Sequence, residues 1–202
     1  NMKKLHGLFM LLFCINAFSQ SSKTLSETLY EDGLGYLRGI TKYHNPKLAK
    51  SLFYQSAKLG CPQAMNELGN IYSDGMYFRR NIDSAIFWYK KAIFSEYAPS
   101  CYNIANLYRL GFNIPQDFTE AFRYYMKGME MKNSDCKKAI AYMYYKGLGT
   151  SQNYYKAFDL YKEIAETGNV NAMYFLGLCY RNGYGTFPDP ELSKLWLQKS
   201  AS

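Results

Sequence analysis

The chain has 202 residues, 48% of them apolar, 20% charged and 18% aromatic. That balance is too hydrophobic for intrinsic disorder and ample for a large buried core. Lys and Arg number 24 against 16 Asp and Glu, a formal charge of +8, and two histidines leave little material for metal or nucleophile-base chemistry.

Lys3 and Lys4 precede a short apolar run, Leu8 to Ile15. Ala17-Phe18-Ser19 then places small residues at the −3 and −1 positions of a secretory cleavage site. Residues 1–19 are predicted to be a signal peptide. The apolar stretch Leu5 to Phe18 is well short of the ~20 residues a membrane-spanning helix needs. The sequence therefore predicts export to the periplasm or the extracellular space, with no integral membrane segment after cleavage. Phe13 stands before Cys14 where a lipoprotein signal wants a small residue, which argues against lipid attachment. Cleavage after Ser19 removes Lys3 and Lys4 and no acidic residue, so the charge falls from +8 to +6. Cys61, Cys101, Cys136 and Cys179 remain, in a compartment that permits disulfides. They form no CxxC pair, and with His44 alone left no ordinary zinc site can be written. Two readings stay open: small buried hydrophobes, or a disulfide between Cys101 and Cys136, which fall at nearly the same place in neighbouring repeats.

From there one period, 36 residues, organises the chain. Tyr36, Tyr72, Tyr108, Tyr144 and Tyr180 form one series, and Gly39, Gly75, Gly111, Gly147 and Gly183 follow three residues later. Asn45, Asn81, Asp117, Asn153 and Asp189 form a third, and Ala49, Ala85, Ala121, Ala157 and Ser193 a fourth. Asn and Asp are preferred helix N-caps, so a helix A starts after each member of the third series. Its apolar positions fall at i, i+3, i+4 and i+7, as in Ala85, Trp88, Tyr89 and Ala92, one buried stripe. A second helix B follows, as in Ala64, Leu68, Gly69, Tyr72. Its small position, Gly69, Ala105, Ala141 and Gly177, predicts close helix approach, because mid-helix glycine carries a propensity penalty of roughly 1 kcal/mol. The glycine three residues after each tyrosine is the left-handed residue that ends helix B.

The boundaries follow: an N-terminal half repeat at 22–39, full repeats at 45–80, 81–116, 117–152 and 153–188, and a C-terminal half repeat at 189–202. Together they make one repeat domain, 22–202. Lys194, Gln198 and Lys199 suit either a solvated capping helix or a chain continuing past Ser202. A single 36-residue pair cannot bury its own apolar face, so the copies must stack into a solenoid with a continuous core.

The runs Ala49-x-x-Leu52-Phe53, Ala85-x-x-Trp88-Tyr89 and Leu68-Gly69-x-x-Tyr72-x-x-Gly75, with the pairs Gly147-x-Gly149 and Gly183-x-Gly185, resemble the Sel-one-like repeat (SLR), a relative of the tetratricopeptide repeat. The resemblance covers about residues 24 to 202. It implies an all-α, right-handed superhelical solenoid of antiparallel helix pairs whose A helices line a concave binding face. That family usually has Gly between the two helices. Gly60 and Gly168 fit, whereas Glu96 and Lys132 occupy the place in the middle repeats.

A solenoid carries no chemistry by default. Gly33-Leu34-Gly35 follows a helical pattern with no strand before it, which supports no phosphate or dinucleotide loop. His44 directly precedes an N-cap and reads as a solvated residue, not a triad base. Ser134-x-x-Lys137 matches the serine motif of penicillin-interacting enzymes, and some SLR proteins have been named for beta-lactamase activity. Here, however, only Glu166-Thr167-Gly168 stands for the Lys-Thr-Gly that should follow. Interspersed acidic residues and the lack of an Arg-rich run argue against nucleic acid. The sequence therefore predicts a non-catalytic scaffold, without cofactor or metal, that binds a protein or peptide partner on the concave face, for example as part of an envelope complex. Two alternatives stand beside it: a secreted enzyme with beta-lactamase-like or penicillin-binding activity, and an anion- or membrane-surface-binding module. The candidate contacts lie opposite the buried stripe of helix A: Tyr54, Phe87, Lys90, Phe94, Arg123, Met126 and Lys127, residue types enriched in interface cores or suited to anionic partners. Ile86, Phe122 and Phe158 share one register and are open to a packing role instead.

Overall fold

The computed structural model describes residues 25–39, 43–111 and 113–201. The predicted signal peptide lies outside them. The regular elements among these residues are ten helices: α1 at 25–38, α2 (Pro46–Lys58), α3 (Pro62–Asp74), α4 (Ile82–Phe94), α5 (Pro99–Leu110), α6 (Phe118–Glu130), α7 (Ser134–Lys146), α8 (Tyr154–Glu166), α9 (Val170–Asn182) and α10 (Pro190–Ala201). The chain is an all-α solenoid of the kind the period requires. It divides after Tyr97 into two compact units, one holding α1 to α4 and the other α5 to α10.

All five cap residues start a helix. The Oδ1 atoms of Asn45, Asn81, Asp117, Asn153 and Asp189 accept from the backbone N–H three residues on, at 2.9 to 3.1 Å. Their own backbone N–H groups reach back to the tyrosine series: Asn45 to the Tyr36 carbonyl at 2.9 Å, and likewise in every later copy. The cap thus satisfies a first-turn donor of one helix while its backbone ties the end of the preceding one. Between them the glycine series takes the left-handed conformation, with φ from 65° to 73°, where a side chain would be strained. The tyrosines themselves are half-buried.

In the first unit, Ala49, Phe53, Ala57, Ala64, Leu68, Ile71, Trp88 and Ala92 form the core. The small position of helix B is filled by a ring from the next helix A. A Cβ on Gly69 would meet Tyr89 Cε1 at 2.4 Å, and one on Gly33 would meet Phe53 Cε1 at 2.6 Å. Gly33 thus belongs to the packing series and to no nucleotide loop. The hydroxyl of Ser56 donates to the Ser26 carbonyl at 2.6 Å, joining α2 to α1 in the buried interior.

In the second unit, at the same register, a Cβ on Gly177 would meet Leu197 Cγ at 2.7 Å. Ala141, Ala157, Tyr161, Ala165, Ala172 and Leu176 form a core cluster there. All four cysteines among the described residues are buried free thiols. Gly128 makes room for two of them, since a Cβ at 128 would lie 2.3 Å from Cys136 Sγ and 2.9 Å from Cys101 Cβ. The Cys101 thiol donates to Met131 Sδ at 3.8 Å.

The turn between helices A and B keeps one hydrogen-bond pattern whatever residue fills it. The backbone N–H groups of Gly60, Glu96, Lys132 and Gly168 donate to the carbonyls of Ala57, Ile93, Met129 and Ala165 at 2.9 to 3.0 Å. Glu96 and Lys132 therefore adopt positive φ, 59° and 62°, a conformation that costs a non-glycine residue about 1–2 kcal/mol.

Candidate interaction surface

Each A helix carries a second stripe opposite its buried one, again spaced i, i+3, i+4 and i+7 and so confined to one face. It runs Ser51, Tyr54, Gln55, Lys58 on α2 and Phe87, Lys90, Lys91, Phe94 on α4. On α6 it is Arg123, Met126, Lys127, Glu130, and on α8 Asp159, Lys162, Glu163, Glu166. All are exposed except Met126, which is half-buried. The register beside this stripe, Lys50, Ile86, Phe122 and Phe158, is half-buried and serves packing. Phe122 meets the Tyr144 ring edge-on at 5.3 Å and Phe158 meets Tyr180 at 5.4 Å. In the first copy the Lys50 ammonium takes the equivalent role, lying 4.2 Å from the centroid of Tyr72 and 4.5 Å from that of Phe78.

In the first unit the outer stripe is aromatic and cationic. Trp88, buried at the helix surface, is the base on which two exposed rings stand. Tyr54 meets it edge-on at 5.8 Å and Phe87 at 5.3 Å. Lys58 Nζ lies 4.9 Å above Tyr54, and Lys91 Nζ 4.9 Å above Phe87. Phe94, two turns further on, is 91% exposed, with Phe87 at 51% and Tyr54 at 46%. Helices α2 and α4 together carry Lys47, Lys50, Lys58, Lys90 and Lys91 against a single acid, Asp83. The face is therefore positive as well as apolar.

The second unit presents different chemistry. Arg123 grips Glu120 with both Nε, at 3.0 Å, and Nη2, at 2.6 Å, and lays its guanidinium 4.1 Å from the centroid of Tyr124. Its charge is already answered within α6. Lys127 is exposed, and the α8 stripe is mostly acidic, with Glu163 bonded by Lys137 of α7. Among the predicted contacts, the structure brings Tyr54 and Phe87 together on Trp88 and keeps Lys90 and Phe94 on the same stripe. It holds Arg123, Met126 and Lys127 on α6 of the second unit. Lys58 and Lys91 share that face by their spacing of four residues from Tyr54 and Phe87, and the structure adds them to the predicted contacts.

Two further sequence candidates have structural positions. Ser134 is the first residue of α7, behind the cap Asn133, whose Oδ1 accepts from Cys136 N at 2.9 Å. His44 is exposed ahead of the α2 cap, its ring 5.2 Å from that of Tyr77. Among the described residues no cluster of His, Cys, Asp and Glu suits a metal, and no helix is long and apolar enough to cross a membrane.

Repeated antiparallel pairs with capped A helices and small positions on the B helices define an α-solenoid repeat protein. The Sel1 repeat model matches at residues 26–61, 62–93, 98–131, 135–169 and 170–202, and the chain belongs to that family. Each match opens on a B helix, so the second runs from α3 into α4. Sel1 repeat proteins are generally protein-interaction scaffolds without catalytic activity. Among solved structures the chain is similar to a protective antigen with an SLR fold from uropathogenic Escherichia coli. There the TM-score is 0.80 and the identity 24%, over 87% of this chain and 38% of that one. The chain thus spans about two fifths of the antigen's length. It is also similar to a Sel1 repeat protein from Oxalobacter formigenes, with TM-score 0.78 and identity 24% over 95% of this chain and 82% of the other. No curated protein matches the sequence significantly.

Proposed function

We propose that this protein is an exported scaffold whose A-helix faces hold an acidic protein or peptide segment with apolar anchors. The observation that carries the reading is the α4 stripe, where Phe87, Lys90, Lys91 and Phe94 occupy one exposed face beside Tyr54 and Lys58. Aromatic rings supply buried area with little entropy to lose, and lysines above them supply charge for the partner. On the second unit, Arg123, Met126 and Lys127 of α6 form a separate candidate contact surface. Partner binding within an envelope complex, after removal of residues 1–19, would place this face in contact with other exported chains.

The test is site-specific photocrosslinking in the native host, with a benzophenone side chain at position 94 and a control at Tyr155, which is 74% exposed on α8. A discrete adduct is expected from position 94 and none from 155. The adduct should be lost with Phe87→Ala and weakened by high salt, since Phe87 is an anchor worth ~1–4 kcal/mol and the lysine contribution is screened. Identical adducts from both positions, or one indifferent to Phe87→Ala, refute the reading. Export is checked separately by the N-terminus of the mature chain, expected at Gln20.

A further inference from the structure

Inside the second unit lies a cavity of about 740 Å³ whose walls include Tyr102, Arg109, Tyr142 and Phe175, with Tyr161 among its lining residues. That volume falls in the range of small-molecule sites. Tyr161 is 3% exposed, and its hydroxyl is buried without a hydrogen-bond partner. The repeat shows how it came to be alone. One period earlier the Tyr125 hydroxyl donates to Asn106 Oδ1 at 2.7 Å and accepts from Arg109 Nε at 3.2 Å. In the first unit, independently, the Tyr89 hydroxyl donates to Asn70 Oδ1 at 2.8 Å and pairs with Ser73 at 3.2 Å. The same offsets from Tyr161 lead to Tyr142 and Tyr145. The carboxamide acceptor has been replaced by an aromatic ring, and the donor has been kept.

A buried hydroxyl with no partner is rare in folded proteins and points to an occupant. Here the surroundings define that occupant. Phe175 stacks on Tyr161 at 4.9 Å with nearly parallel rings, and Tyr142 meets Phe175 edge-on at 6.0 Å. These rings suit a planar apolar body. Arg109 adds positive charge to the wall, while Lys138 is paired with Asp135 at 2.6 Å. Tyr142, the counterpart of Asn70 and Asn106, is 41% exposed. We infer that this cavity binds a small aromatic carboxylate, the Tyr142 ring moving outward to admit it, its own ring lying against Phe175 and its oxygen accepting from the Tyr161 hydroxyl. The site is separate from the lysine and aromatic face of the first unit, so either reading can fail alone.

The test uses the full chain with 2-naphthoate as probe, followed by calorimetric titration and ligand-observed NMR, together with thermal unfolding of the unliganded proteins. Tyr161→Phe keeps the ring and removes the donor. Tyr142→Asn restores the acceptor present at Asn70 and Asn106. Wild type should bind, and both variants should bind at least about tenfold more weakly, the loss expected for one hydrogen bond to a charged acceptor. Tyr161→Phe should not lower the melting temperature, whereas Tyr125→Phe, which strips a made bond, should. Absence of binding at millimolar probe, equal affinity for Tyr161→Phe, or a melting loss for Tyr161→Phe matching that of Tyr125→Phe overturns the inference. The last result means that a buried water already holds the hydroxyl.

Discussion

Replacing Gly69 by alanine sets intrinsic helix propensity against packing, and the two predict opposite signs. Propensity alone favours alanine by ~1 kcal/mol in a helix interior. The new Cβ, however, would lie 2.4 Å from Tyr89 Cε1 and 2.5 Å from Cδ1, more than about 1 Å inside ordinary carbon contact. Tyr89 is 2% exposed, and its hydroxyl is tied to Asn70 and Ser73 of α3, so the ring is held at both ends. Overpacking of a full core costs ~1–3 kcal/mol, and a strained or broken Tyr89 hydrogen bond adds about 1 kcal/mol. After the propensity gain the net loss is about 2 kcal/mol. It is read from urea unfolding followed by Trp88 fluorescence in a Trp196→Phe background, because Trp88 is next to Tyr89 on α4. In a Tyr89→Leu background the same substitution should cost markedly less, a coupling that isolates the contact. Stabilisation by Gly69→Ala, or a loss unchanged when the ring is removed, refutes the assignment of this glycine to ring packing.

Other substitutions and pH probe the remaining devices of the fold. Glu96→Gly and Lys132→Gly should each stabilise by about 0.5–1 kcal/mol, since the left-handed strain removed exceeds the extra freedom given to the unfolded chain, as urea midpoints will show. Asn81→Ala, which loses the acceptor for Ser84 N, should destabilise by ~1 kcal/mol, and Asn81→Asp should not. Burial pushes Cys101 and Cys179 up to about 11, and Cys136, Tyr89 and Tyr125 up to about 12. These groups fold in their neutral forms, so their contribution is complete below the ordinary thiol value near 9. It is lost as pH rises from there towards 12. Alkaline unfolding should therefore begin above about pH 9, and Cys101→Ala with Cys136→Ala should reduce its steepness.

The fold was legible because its determinants are periodic. Five caps, five helix-ending glycines and one buried stripe recur at a fixed offset, and a solenoid reuses each contact in that same offset. What escaped the sequence is the partner of each device. The small position of helix B looked like room for a neighbouring backbone, but at Gly69 and Gly33 an aromatic ring of the next helix fills it. The hydrogen bond from each cap N–H to the tyrosine carbonyl nine residues earlier is a backbone contact, and no side-chain pattern encodes it. Gly60 and Gly168 mark the turn position in the sequence, but that Glu96 and Lys132 take left-handed geometry there is not written in their own side chains, because the requirement comes from the helices on either side.

Function is written where the period breaks. Stacking constrains the buried stripe of every A helix in the same way, so Ala49, Ala85, Ala121 and Ala157 stay identical and completely buried. Stacking does not hold the outer stripe to one residue type, and its fourth position drifts from Lys58 through Phe94 to Glu130 and Glu166. A ring held 91% exposed loses the burial that would otherwise stabilise it, and nothing in the architecture asks for it. The second break runs inward: Asn70 and Asn106 satisfy a buried hydroxyl, and Tyr142 at the same offset leaves its counterpart unbonded. Each departure sacrifices something the rest of the solenoid keeps, apolar burial in one case and a hydrogen bond in the other. If both were drift, Phe94→Lys and Tyr142→Asn, which restore the residues of other copies, would raise stability and change no binding. A loss of the position-94 partner with the first, and of the aromatic carboxylate with the second, is the outcome that assigns the breaks to recognition.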